Sequence, residues 1–81
     1  MNKLDQAIFL KNLILTAEIY NKEFSQEHAL VFYEFLCTYE TTDVINAFNE
    51  HISKREYFPT PASIIKYIEA KELNRKINYL D

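Results

Sequence analysis

The stretch Tyr57-Phe58-Pro59-Thr60-Pro61-Ala62-Ser63-Ile64 decides how this chain is read. A proline disfavours the helical region for the residue before it, so Pro59 and Pro61 hold Phe58 and Thr60 extended. Thr60 then sits where a helix N-cap is needed. Pro61 takes the first helical position, where its missing N–H costs nothing. Downstream, Ile64, Ile65 and Ile68 continue a helix, and Ala70, Leu73, Ile77 and Leu80 extend it with an amphipathic stripe. Upstream, Val44, Ile45, Phe48 and Ile52 repeat at helical spacing and mark the preceding helix. That helix begins with Thr41 or Thr42 as cap and Asp43 in its first turn. It ends near Lys54 and Arg55, whose charges suit a helix C-terminus. The proline-rich stretch is therefore a corner between two helices.

Further toward the N-terminus the same punctuation recurs. Ser25 is placed to cap a helix running from Gln26 to about Thr38, with Glu27 in its first turn. Ala29, Phe32, Tyr33 and Leu36 form its main stripe, flanked by Leu30, Val31 and Phe35. So many apolar and aromatic side chains make this helix either central or a binding face. A first helix is expected from Leu4 to about Tyr20. Leu4, Ile8, Leu15 and Ile19 form its stripe, and Ala7, Leu10, Ile14 and Ala17 widen it. A face that broad implies contact with several neighbours. Asn21 can close this helix in the left-handed position that glycine usually fills. Nothing reads as a strand. The expected fold is all-α, a compact four-helix bundle-like domain with an amphipathic C-terminal helical extension. Residues 1–81 form one unit, with a core module over 4–68 and the extension over 69–81.

Composition excludes several function classes. The 81 residues contain no glycine, so no GxGxxG or GxxxxGK[ST] phosphate loop can exist. Cys37 is the only cysteine, which excludes an internal disulfide and fits a reducing, cytoplasmic setting. No apolar run reaches the length of about 18 residues that a membrane span needs, and the Ala7–Leu15 segment lacks the features of a signal peptide. His28, Cys37 and His51 show no CxxC, HxxxH or HExxH spacing, so the expectation is no metal, exposed histidines and a core cysteine. Cys37 on an apolar helix is not arranged as a nucleophile, and the carboxylates read as solvated helix faces. No enzyme activity and no cofactor are expected.

Charge is uneven. Residues 1–50 carry three lysines against eight carboxylates, a net of −5, whereas 51–81 carry six cations against four carboxylates, a net of +2. The acidic body disfavours direct nucleic-acid binding, which draws on phosphate neutralisation. One place, Tyr57-Phe58 beside Lys54 and Arg55, combines aromatic and cationic groups.

Taken together, several segments resemble a known family. They are Ala17-Glu18-Ile19-Tyr20, Phe24-Ser25, Leu36 with Tyr39, Val44-Ile45-Asn46-Ala47-Phe48, and Phe58-Pro59-Thr60-Pro61-Ala62-Ser63-Ile64. The pattern, over about residues 4 to 68, is similar to small phage proteins that load or inhibit the bacterial DnaB-type replicative helicase. The helicase-inhibitor type of Bacillus phages is the nearer likeness; the lambda-type replication protein P is the more distant. The resemblance implies a non-enzymatic phage or mobile-element protein acting inside a bacterial host cell. Its partners would be the replicative helicase, the ATPase that loads it, or an origin-binding initiator. Phe58, Pro59, Thr60, Pro61 and Ile64 would set the angle between the last two helices. Members of the Bacillus-phage type carry a long tail after the folded module, whereas this chain stops at Asp81. Either the helical extension replaces that tail, or the protein regulates without loading. Tyr57, Phe58, Lys66, Lys71, Leu73, Arg75 and Ile77 are the candidate partner-binding residues. Two alternatives stand beside this reading: a small DNA-binding regulator using the basic C-terminal third, and an inhibitor module that self-associates through its terminal stripe into a homo-oligomer.

Overall fold

The computed structural model describes residues 2–80, with side chains as far as Arg75. Four helices follow one another: α1 (Gln6–Ile19), α2 (Gln26–Leu36), α3 (Thr41–Lys54) and α4 (Pro61–Leu80). No strand occurs among the described residues. The helices close a ring in which α1 packs on α2 and α3, and α4 packs on the same two. The fold is all-α and bundle-like, as the periodicity implies.

Local chemistry sets the helix ends. Asp5 caps α1, its Oδ1 accepting the Ile8 N–H at 3.0 Å. Leu4 thus lies outside α1, contrary to the expected start. It is buried instead in an extended segment whose Lys3 and Leu4 N–H groups both donate to the Cys37 carbonyl. At the other end of α1, Asn21 has φ 52°, with its N–H bonded to Glu18 O and that of Lys22 to Ala17 O. This is a Schellman closure with asparagine in the left-handed slot, the solution open to a chain without glycine. Ser25 Oγ accepts the His28 N–H at 3.1 Å and starts α2 as expected.

The N-terminus of α3 departs from expectation. Glu40 occupies the cap position with no side-chain hydrogen bond, and neither Thr41 nor Thr42 caps the helix. The Thr41 hydroxyl is used elsewhere: it accepts the Asp5 N–H at 2.9 Å and donates to the Lys3 carbonyl at 3.5 Å. Thr41 therefore anchors the N-terminal segment against the α2–α3 turn.

The core cluster runs from Leu4 to Ile68 and draws on every helix. At its centre Phe9, Phe32 and Phe48, one each from α1, α2 and α3, meet pairwise at 6.0–6.3 Å between centroids. Tilted and edge-on pairs of this kind contribute about 0.5–1.5 kcal/mol each beyond the area they bury. From α4, Ile64 and Ile68 close the cluster.

The face that α1 buries is the main correction to the sequence reading. Phe9, Leu13, Thr16 and Ala17 point inward, while Ile8, Ile14, Leu15 and Ile19 are half-exposed or more. The buried Thr16 hydroxyl is satisfied by donating to the Asn12 carbonyl at 2.8 Å, which makes a polar residue acceptable on the inner face. Helix α1 is apolar on nearly every side, so its own pattern does not single out the face that packs.

Candidate functional site

The corner between α3 and α4 is built by the expected punctuation. Thr60 and Ser63 form a reciprocal cap: Ser63 N–H donates to Thr60 Oγ1 at 3.2 Å, and Thr60 N–H donates to Ser63 Oγ at 3.0 Å. Serine here does the work that glutamate does in the common capping box. Pro59 and Ile64 are buried. Phe58 is half-buried, with its ring against Tyr20 and Phe32. Phe58, Pro59, Thr60, Pro61 and Ile64 thus fasten the corner to the body.

A histidine lies beneath this corner. His51 is fully buried on α3, in line with Val44, Ala47 and Phe48. The expectation of exposed histidines holds for His28 and fails for His51. Its position at the end of an i, i+3, i+4, i+7 series turns it inward. The ring nitrogen Nε2 lies 2.8 Å from the Tyr57 carbonyl oxygen. Since a carbonyl only accepts, Nε2 carries the proton, and Nδ1 has no partner among the described residues. Tyr20, Tyr57 and Tyr67 surround the imidazole at 6.3, 5.2 and 5.7 Å. The Tyr20 hydroxyl donates to the Arg55 carbonyl at 2.9 Å. Burial, and secondarily the nearby Tyr67 and Tyr57 phenols, raise the Tyr20 pKa above its usual 10. The buried His51 and the partly exposed Tyr20 form a hub that holds the backbone at Tyr57 and Arg55.

Above the hub lies a cleft of about 370 Å³ lined by Arg55, Tyr57, Ser63, Lys66 and Tyr67. The nearby Tyr67 and Tyr57 side chains favour the charged form of the Arg55 guanidinium further. The structure brings Lys66 to the Tyr57 and Arg55 pair that the sequence already placed together, and adds Ser63 and Tyr67.

The remaining candidate residues lie elsewhere. Lys71 and Arg75 line the side of α4 that faces the acidic flank of α3, with Asp43 and Glu50 opposite. Arg75 pairs with Asp43 at 3.5 Å. Leu73 is 58% exposed, half a helical turn round from Ile64. The side chain of Ile77 lies outside the described residues. From Glu69 to Arg75 every residue of α4 is exposed. Among the described residues of the terminal stripe, Ala70 and Leu73 therefore do not continue the face that Ile64 and Ile68 bury.

Sequence reasoning missed a second surface. Between α1 and α2 lies a cleft of about 300 Å³ lined by Gln6, Leu10, Gln26, Ala29, Leu30 and Tyr33, with no charged group in its wall. Ile14 follows Leu10 by one turn, and both Ile14 and Leu30 are half-exposed. On their other sides, α1 exposes Ile8, Leu15 and Ile19, and α2 exposes Val31 and Phe35. The signal was present in the sequence as two helices with more apolar positions than one buried stripe can use. Helix α2, expected to be either central or a binding face, buries Ala29, Phe32 and Leu36 in the core and exposes Leu30, Val31 and Phe35. Among the described residues no three His, Cys, Asp or Glu side chains are grouped to hold a metal ion. No helix there is long and apolar enough to cross a membrane.

No family model, curated protein or solved structure matches the chain.

Proposed function

We propose that this chain is a protein-binding adaptor that docks its α1–α2 surface on a bacterial replicative helicase of the DnaB type, or on the ATPase that loads it, and so alters helicase loading. One observation carries the docking reading. Leu10 and Leu30 line an uncharged cleft between α1 and α2, and Leu30 and the adjoining Ile14 are half-exposed there. An apolar cleft open to solvent marks an interaction site. The uncharged α1–α2 cleft suits an apolar anchor from a partner helix, the groove mode of recognition. The helicase as partner rests on the resemblance carried by Phe58-Pro59-Thr60-Pro61-Ala62-Ser63-Ile64 and the accompanying segments.

Titration calorimetry of the chain against purified helicase, and separately against its loader, tests the proposal. A complex with either partner is expected, and Leu30→Glu weakens it at least about tenfold, because a carboxylate is then desolvated in an apolar seat. Absence of a complex with both partners, or unchanged binding by Leu30→Glu, refutes it. A second reading, self-association, is favoured by Leu73 standing exposed on the outer face of α4. Light scattering of the wild type and Leu73→Glu decides it: a dimer that the substitution splits is the outcome that reading requires.

A further inference from the structure

We propose that the cleft of Arg55, Tyr57 and Lys66 binds one nucleotide unit of a single-stranded nucleic acid, with a phosphate between the two cations and a base on the Tyr57 ring. Three observations lead there. First, the cations are free to act. Lys3, Lys54 and Arg75 are engaged by Glu40, Glu50 and Asp43, whereas Arg55 and Lys66 form no ion pair among the described residues. Lys54, which adjoins Arg55 in the sequence, is thus not part of the site.

Second, the ring is both exposed and held. Tyr57 is 59% exposed, yet its carbonyl is fixed by His51 Nε2 and its ring packs at 5.2 Å on the buried imidazole. A large aromatic side chain left in water on a braced backbone is a stacking platform with little ordering entropy left to lose. Ser63 walls the cleft, but its hydroxyl is committed to the Thr60 cap and offers no free donor. Third, the volume of about 370 Å³ lies at the lower end of small-ligand sites, about the scale of one nucleotide rather than of an extended groove.

The combination of stacking platform and cations selects the ligand class. An acidic peptide would satisfy Arg55 and Lys66 but would leave the tyrosine face unused. A duplex keeps its bases stacked inside and cannot reach the ring. A single strand offers both a phosphate and a base with an open π-face. The exposed carboxylates Glu56, beside Arg55, and Glu69, one turn beyond Lys66, oppose the phosphate and keep binding weak. So does the net −5 of residues 1–50.

Fluorescence anisotropy of a labelled 15-nucleotide oligothymidylate, titrated with the full chain, tests this. Two phosphate contacts on a single strand give a slope of about −1.4 in log K against log salt, a loss of about sevenfold between 50 and 200 mM NaCl. Tyr57→Ala weakens binding by about 5- to 150-fold, the range measured for one stacked base, whereas Tyr57→Phe retains it. The double variant Arg55→Ala/Lys66→Ala flattens the salt dependence. All three side chains are exposed, so these variants keep the fold, as circular dichroism will verify. The inference is overturned by no binding at 50 mM NaCl, by wild-type affinity of Tyr57→Ala, or by equal competition from an oligoglutamate peptide of the same length.

Discussion

Leu13 and Leu15 lie two residues apart on α1, and the structure assigns them opposite fates. Leu13 is 1% exposed and sits in the central cluster; Leu15 is 50% exposed. Truncating each to alanine compares the two faces within one helix. The small gain in helix propensity is the same in both variants and cancels. At Leu13 the lost transfer energy and the cavity together cost about 2–5 kcal/mol. At Leu15 roughly half the side chain already lies in water, so the loss stays below about 1 kcal/mol. An 81-residue domain has a total stability of about 4–12 kcal/mol. Leu13→Ala therefore removes a large share of it, and Leu15→Ala a small one. Urea unfolding followed by far-UV circular dichroism reads the difference. With a slope near 1 kcal/mol per molar, the midpoint falls by about 2 M or more for Leu13→Ala and by less than about 1 M for Leu15→Ala. Equal losses, or a larger loss at Leu15, would refute the assignment of the buried face of α1.

Three further outcomes follow from local features. Asn21 at φ 52° tolerates glycine with a change of a few tenths of a kcal/mol, whereas Asn21→Val costs about 1–2 kcal/mol because its branched Cβ clashes in the left-handed region; thermal melts of the two variants check this. Thr60→Ala removes the hydroxyl that caps α4 and lowers stability by about 1 kcal/mol, and Ser63→Ala added to it costs less than the two separate losses because they share one reciprocal cap. Tyr20 has a raised pKa in the fold, chiefly through burial, so the unfolded chain releases its proton first. Stability is held below pH 10 and falls as pH rises beyond it. In Tyr20→Phe that alkaline decline, followed by urea midpoints from pH 9 to 11, is shallower.

Cavity and cleft were the least legible parts of the sequence. Tyr57 and Lys66 were singled out as candidates, but their grouping with Tyr67 depends on α4 returning alongside α3. Phe58 stood among the candidate binding residues, and its ring now lies against Tyr20 and Phe32. Lys71 and Arg75 read as flanks of a docking stripe, yet they face the carboxylates of α3. Each difference has the same origin: a side chain's partner is set by the helix that comes to lie beside it, not by its neighbours in sequence.

What the sequence determined on its own is the punctuation of the fold. Ser25, Asn21 and the Thr60-Pro61 pair act on backbone groups within about one turn, so their effect is fixed by residues only a few positions away. Val44 with Phe48, and Ile64 with Ile68, also carry their own inward direction. Tertiary structure alone decided which side of α1 is buried, because a helix apolar nearly all round has no internal preference and takes its orientation from the Phe32 and Phe48 rings it meets. It likewise decided that Thr41 would anchor the N-terminal segment, a hydroxyl whose partner, the Asp5 N–H, is presented from 36 residues away only once the helices have packed.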